Sequence, residues 1–410
     1  MFVSLRCVSR CILIIMFMLV LSSSCLERKI TSELNPGCDS HISKNLSFSV
    51  VYVKAEGSND TLHYLWDLSR KPSVLLALTP PGSRVEFNCT EFGMENALRF
   101  DVPVKYSFAI VINKIWEYND VNDTGTLDLE NKSDNYVREL DPSNFSWKRV
   151  EYKNDSKSVI LGIESLLYHD NNTYKNGTLK IELSGFGYED HSDLLPHLLH
   201  TANSTQVDLV IDGLTTESTF TSSRFAVEIV MISSDGTNSS MKINARKSLD
   251  DEHTPGVFTL VDVETPSSSS ASAGGYLQWR PVAYISKNRD ISNSTDTDIY
   301  GVSNVKNASS YLANSLLAHS FYDLDHQNLL MQSAVVSFGI KEDGFYKKTN
   351  YTSWTFTVGY GKPPDEDFSL LVILVISIGL GLPALLIIIS GIIMFVRRIS
   401  HKKDDLFLSR

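Results

Sequence analysis

Between residues 368 and 396 the chain carries no charged side chain. At ~1.5 Å of rise per residue such a run exceeds the roughly 20 residues a helix needs to cross the hydrocarbon of a bilayer. A transmembrane helix over 368–396 is therefore predicted, and it divides the chain into parts that meet different solvents. Asp365, Glu366 and Asp367 precede it, whereas Arg397, Arg398, Lys402 and Lys403 follow it. Basic residues are retained on the cytosolic side, so the tail 397–410 is cytosolic and the bulk of the chain lumenal. Ser377, Gly381, Ala384 and Gly391 recur at steps of four, three and seven. That spacing places small side chains on one helical face, where another helix could approach closely. Pro383 predicts a kink or a place where a neighbour supplies the missing contact.

The amino end agrees with this topology. Arg6 and Arg10, an uncharged apolar run over 11–21 and the small residues Ser22, Ser23 and Ser24 read as a signal peptide, 1–24. The run is too short to serve as a membrane span. What remains, 25–367, is long enough for two ordinary domains. The net charge is -11, and no Lys/Arg cluster interleaved with aromatics occurs outside the tail. Nucleic acid is therefore disfavoured as a partner.

Asn-x-Ser/Thr sequons occur at Asn45, Asn59, Asn88, Asn122, Asn131, Asn144, Asn154, Asn171, Asn176, Asn203, Asn238, Asn293, Asn307 and Asn350, all between the signal and the span. Density and confinement to the lumenal side predict a glycan coat. Of the five cysteines, Cys7 and Cys11 leave with the signal and Cys25 lies at the cleavage edge. Cys38 and Cys89 are the candidate disulfide in this oxidising route, with Cys25 pairing to either as the alternative.

Short stretches of alternating apolar and polar residues recur at 48–53, 104–110, 179–183 and 207–211, with further candidates at 74–78, 225–232, 257–263, 334–340 and 355–360. Period two marks strands with one buried face. Asp212-Gly213 and Asp235-Gly236 bracket the 225–232 strand as turns, and only a few stretches, such as 311–319, read as helix. An all-β architecture follows, as two β-sandwich-like lumenal domains, 25–170 and 171–367, divided in the loop 168–176. The Ser/Ala/Gly segment 266–275 is expected to be a surface loop.

No nucleophile elbow, zinc helix, phosphate loop or dinucleotide fingerprint is present. His197 and His200 stand three apart without an evident third ligand, so no metal or other cofactor is predicted. The acidic run Asp250, Asp251, Glu252 and His253 lacks EF-hand spacing and reads as a solvated turn. Trp279 and Arg280 combine an indole and a guanidinium. They either fix a strand end by stacking or anchor a partner.

Several stretches together resemble one family: Thr61-Leu-His-Tyr-Leu-Trp66, Asp141-Pro-Ser-Asn-Phe-Ser-Trp147, Ser248-Leu-Asp-Asp-Glu252, Gln278-Trp-Arg-Pro-Val-Ala-Tyr284 and Tyr351-Thr-Ser-Trp354. The sequence is similar to the glycosylated lysosomal membrane proteins, in order from about residue 45 to the tail. The resemblance implies a non-enzymatic accessory subunit that stabilises a lysosomal major-facilitator-superfamily dipeptide transporter and shields it from proteolysis. It departs from that family in having no cysteine after Cys89 and no Tyr in the tail, so neither a second-half disulfide nor a tyrosine sorting signal carries over. A homodimer is left open. A cell-surface adhesion or receptor ectodomain is the alternative reading of the same layout.

Overall fold

The computed structural model describes residues 27–38, 50–128, 136–170, 173–234, 239–248, 254, 256–266, 273–322, 329–365 and 370–407. The signal peptide, the acidic run 250–253, the Asp235-Gly236 turn and most of the 266–275 segment lie outside these residues.

Each of the nine predicted strands falls on an observed one, and among the described residues the architecture is all-β ahead of a single long apolar helix. The strands build two large antiparallel sheets. The first runs, in hydrogen-bonded order, Lys29–Leu34, Val50–Glu56, Thr61–Asp67, Ser73–Thr79, Tyr106–Asn119, Ser223–Ser233, Leu330–Phe338 and Ser294–Asn304. The second runs Lys148–Asn154, Ser158–Asp170, Thr173–Phe186, Ser204–Asp212, Tyr351–Tyr360, Gly275–Trp279, Thr259–Glu264 and Lys242–Lys247. Strand Val282–Tyr284 pairs with Ser294–Asn304 and meets Ser353, which joins the two sheets at a corner.

Alternate residues of both sheets point into one shared core: Val51, Val53, Leu76, Phe108, Ile110 and Val227 from the first face Leu161, Ile181, Leu209, Trp354 and Phe356 from the second. The sheets approach closely at Gly275, where an added Cβ would stand 2.3 Å from the Phe108 ring. A bulge at Asn113 moves the alternation by one, so Ile112 and then Ile115 both face inward along a long strand. The divide expected between residues 170 and 171 falls at the tip of the hairpin made by Ser158–Asp170 and Thr173–Phe186. A boundary there would separate paired strands and cut a core drawn from both sides of it.

The first sheet is covered on both faces, which a period-two reading of one buried face does not anticipate. Its outward residues Tyr52, Leu65, Leu75 and Ile232 pack with Leu98, Leu312, Leu317 and Tyr322. Strands Thr61–Asp67 and Ser73–Thr79 are consequently buried at every position. The predicted helix 311–319 is two short helices, Ala308–Asn314 and Leu316–Phe321, parted at the buried Ser315.

Candidate functional site

The second sheet's strand Tyr351–Tyr360 delivers the chain toward the membrane. The segment after it stays fastened to the sheet. Gln278 Nε2 donates to Pro364 O at 2.9 Å, and Asp365 pairs with Arg246 and with Lys362. Only 366–369 separate this clamp from the helical residues that begin at Leu370. Asp365, read from sequence as a flanking charge, is also part of the attachment.

One helix among the described residues, Val372–Arg398, is long and apolar enough to span a bilayer. It is exposed from Ile373 to Arg398, and nothing beyond the helix's own nearby backbone lies within 4 Å of a Cβ placed on Gly379, Gly381 or Gly391. The turn Ser377–Gly381 is a wide π turn placed just ahead of Pro383. The proline has no N–H for the Gly379 carbonyl and its ring crowds that oxygen, so the expected disturbance takes the form of local widening. Ser377 and Gly381 thus bound the irregular turn, with Ala384 and Gly391 in the regular helix that follows.

Ten of the sequon asparagines are described: eight are exposed, Asn203 and Asn293 are half-buried, and none is buried. Asn45, Asn131, Asn171 and Asn238 lie outside the described residues. Several gather at the end of the sandwich away from the helix. Asn350 O accepts from Gly213 N at 2.8 Å, and Asn176 O accepts from Thr215 N at 3.0 Å. Phe145, beside Asn144, bridges to Tyr168, whose hydroxyl donates to Thr215 O at 2.9 Å. Asn122 follows the far end of the strand whose first residue, Tyr106, packs against Tyr360. Asn203 sits at the opposite end, where Arg28 Nε donates to its side-chain oxygen at 2.7 Å. Cys38 and Cys89 form a disulfide with Cα atoms 5.3 Å apart.

Trp279 and Arg280 are not a surface. They are 2% and 0% exposed; Trp279 meets Trp354 edge to face with centroids 5.7 Å apart, and an Arg280 guanidinium N–H donates to Val257 O. The partner-anchor reading is thereby corrected: the pair fixes the corner between Gly275–Trp279 and Val282–Tyr284. His197 and His200 do not converge. His200 is stacked 3.6 Å from the Phe186 ring, with Nδ1–H directed at Tyr188 O, while His197 Nδ1–H donates to Ser192 O at 2.6 Å. Among the described residues no group of three His, Cys, Asp or Glu could hold a metal. His197 instead borders a cleft of about 560 Å³ with His191, Asp193, Tyr284 and Asp290.

Sequence reasoning missed the buried charges. Arg289 holds Asp208 through two bonds of 2.7 Å, and Thr355 Oγ1 donates to the same carboxylate at 2.6 Å. Arg224 holds Asp120, Asp123 and Asp343. No local spacing signals these, because the partners come from strands and loops far apart in the chain.

The comparisons with known proteins agree with this layout. The model of the glycosylated lysosomal membrane protein family matches residues 49–401. The chain is 30% identical to glycosylated lysosomal membrane protein B of Xenopus laevis over 92% of its length and 91% of the relative's. It is 30% identical to the Danio rerio protein (91% of this chain, 90% of the relative) and 26% identical to that of Homo sapiens (87% and 85%). A β-rich lumenal body followed by one apolar helix and a basic flank gives type I topology in the lysosomal membrane. The chain belongs to the glycosylated lysosomal membrane protein family.

Proposed function

We propose that this protein does no chemistry itself and serves as the accessory subunit of a lysosomal major-facilitator-superfamily transporter of dipeptides, which it stabilises and protects from lysosomal proteases. The observation that carries the reading is the pairing of two surfaces. A lumenal body with exposed sequon asparagines on it is clamped, through Pro364 and Asp365, a few residues above a helix that is uncovered along its described span. Hydrated glycans keep proteases from the backbone beneath them. An uncovered helix with small residues at Gly381, Ala384 and Gly391 supplies a place for another membrane helix to pack. The alternative of a cell-surface adhesion ectodomain does not suit a chain of a lysosomal family.

Depleting the protein is expected to lower the transporter's abundance while leaving its messenger unchanged, with lysosomal protease inhibitors restoring it. Unchanged transporter levels would remove the proposal. A second outcome addresses the helix. Gly381→Leu places a branched side chain on the packing face and should reduce the transporter recovered by co-purification from detergent about tenfold, equivalent to roughly 1.4 kcal/mol. Glycosylation of the variant should match that of the wild type. Full recovery of the transporter would place the contact elsewhere.

A further inference from the structure

The sequon at Asn88 differs from the others in what its middle residue does: Cys89 is joined to Cys38. In the folded chain this sequon is closed on itself. Asn88 caps the 3-10 turn Cys89–Glu91, its Oδ1 accepting from Thr90 N at 3.2 Å and from Thr90 Oγ1 at 2.9 Å. Its Nδ2, the atom to which a sugar would be joined, donates to Glu91 Oε2 at 2.8 Å. The backbone is held as well, with Asn88 N donating to Ala97 O at 2.7 Å beyond the paired strands Val85–Phe87 and Leu98–Phe100. Cys89 is 6% exposed. A transferase needs an extended tripeptide with a free amide and a free hydroxyl. Here both groups are engaged and the residue between them is tethered.

We propose that Asn88 is a conditional glycosylation site, open to sugar transfer only while Cys38 and Cys89 are thiols and closed by the disulfide between them. Two reactions compete for the emerging segment. In one, the Nδ2 of Asn88 bonds to the anomeric carbon of a lipid-pyrophosphate-linked oligosaccharide, the bond from that carbon to the phosphate oxygen breaks, lipid pyrophosphate leaves, and Nδ2 gives up one proton to a base. In the other, two thiols pass two electrons and two protons to a lumenal protein disulfide, which becomes a dithiol as the Cys38–Cys89 bond forms. Cys38 precedes Cys89 by 51 residues and is already lumenal when the sequon emerges, so oxidation can begin at once. The order matters in one direction. Asn88 is exposed and its glycosylated Nδ2 keeps one hydrogen for Glu91, so a chain glycosylated first can still fold and close the disulfide. A chain oxidised first loses the acceptor.

The test is site occupancy by mass spectrometry after enzymatic removal of glycans in isotopically labelled water, on the full chain expressed in a secretory cell. Cys38→Ser leaves the sequon intact, and Cys89→Ser keeps it as Asn-Ser-Thr. Both variants are expected to raise occupancy at Asn88 by about twofold or more, with Asn59 and Asn144 unchanged as internal references. Wild-type chain translocated into microsomes under dithiothreitol should show the same selective rise. Sugar transfer accompanies translocation, so the measurement does not require that the cysteine variants reach the native state. Occupancy at Asn88 that stays the same in all three, whether complete or nil, overturns the proposal. A parallel rise at Asn59 and Asn144 overturns it equally.

Discussion

Arg224→Met is expected to destabilise the lumenal body by about 3–5 kcal/mol, the usual cost of stranding a buried carboxylate by removing its partner. The Arg224 side chain is 2% exposed. Its Nε reaches Asp120 Oδ2 at 2.9 Å, Nη2 reaches Asp123 Oδ1 at 2.7 Å and Nη1 reaches Asp343 Oδ1 at 2.7 Å. The remaining hydrogens go to the carbonyls of Ile340 and Gly344, each at 2.9 Å, and the guanidinium lies 4.7 Å from the Phe345 ring centre. Methionine approximates the volume and removes the charge, so packing loss is small and the effect isolates the electrostatic staple between the loop after Tyr106–Asn119 and the loop after Leu330–Phe338. Arg224→Lys should recover only part of the loss, because an ammonium cannot serve three carboxylates along the fixed fork of a guanidinium. Denaturant or thermal unfolding of the detergent-solubilised protein decides the matter, and a loss below about 1 kcal/mol would show that water reaches the carboxylates.

The membrane helix is legible in sequence because it depends on local chemistry, the absence of charge over a bilayer's thickness. Strands such as 207–211 and 355–360 were legible for a similar reason, since alternation is imposed by one buried face. Legibility fails where burial is two-sided or polar. Thirteen-residue Ser158–Asp170 went unread as a strand, its alternation broken by the irregularity between Ser165 and Leu167. The Lys148–Asn154 edge strand was missed because it is mostly charged and largely exposed. Trp279 and Arg280 have the composition of an interface anchor, but Trp279 packs on Trp354 and Arg280 is buried with an N–H on Val257 O, and composition does not record what will cover a residue. The single shared core was hidden for the same reason: strands of one sheet come from both ends of the chain, and sequence adjacency favours drawing a boundary at a polar hairpin tip.

Acid sensitivity is the second large effect, and it follows from two histidines buried without charge. His63 is fully enclosed, its Nδ1 sharing a 2.7 Å hydrogen bond with Tyr52 OH and its Nε2 bonded to Thr79 Oγ1 at 2.8 Å and Ser83 Oγ at 2.9 Å. Burial, with Lys54 adding to it against the opposing pull of Asp101 and Glu56, lowers its pKa to about 4. Burial also lowers His200 to about 4, opposed by the Tyr188 carbonyl and by Asp190 and Asp193. Between that value and the ordinary 6.5 the unfolded chain binds protons that the folded chain refuses, so stability falls as pH drops through this window. Each histidine should cost about 2 kcal/mol between neutral pH and about pH 5. Asp67 acts in the opposite sense. Burial raises its pKa to about 6, so the folded state takes up a proton first and gains about 1 kcal/mol over the same interval. Glu117, raised by burial despite Arg138, adds to that gain. The expected result is that His63→Gln combined with His200→Phe, whatever it costs at neutral pH, becomes less acid-sensitive than the wild type by about 4 kcal/mol over the interval, while Asp67→Asn becomes more acid-sensitive by about 1 kcal/mol. Unfolding free energies measured across that range decide it, and parallel pH profiles for the wild type and the double variant would show that the imidazoles are solvated. For a protein of an acidic compartment the consequence is physical: carboxyls that welcome protons offset histidines that exclude them, so lumenal acidity costs the fold less than its two buried imidazoles alone would impose.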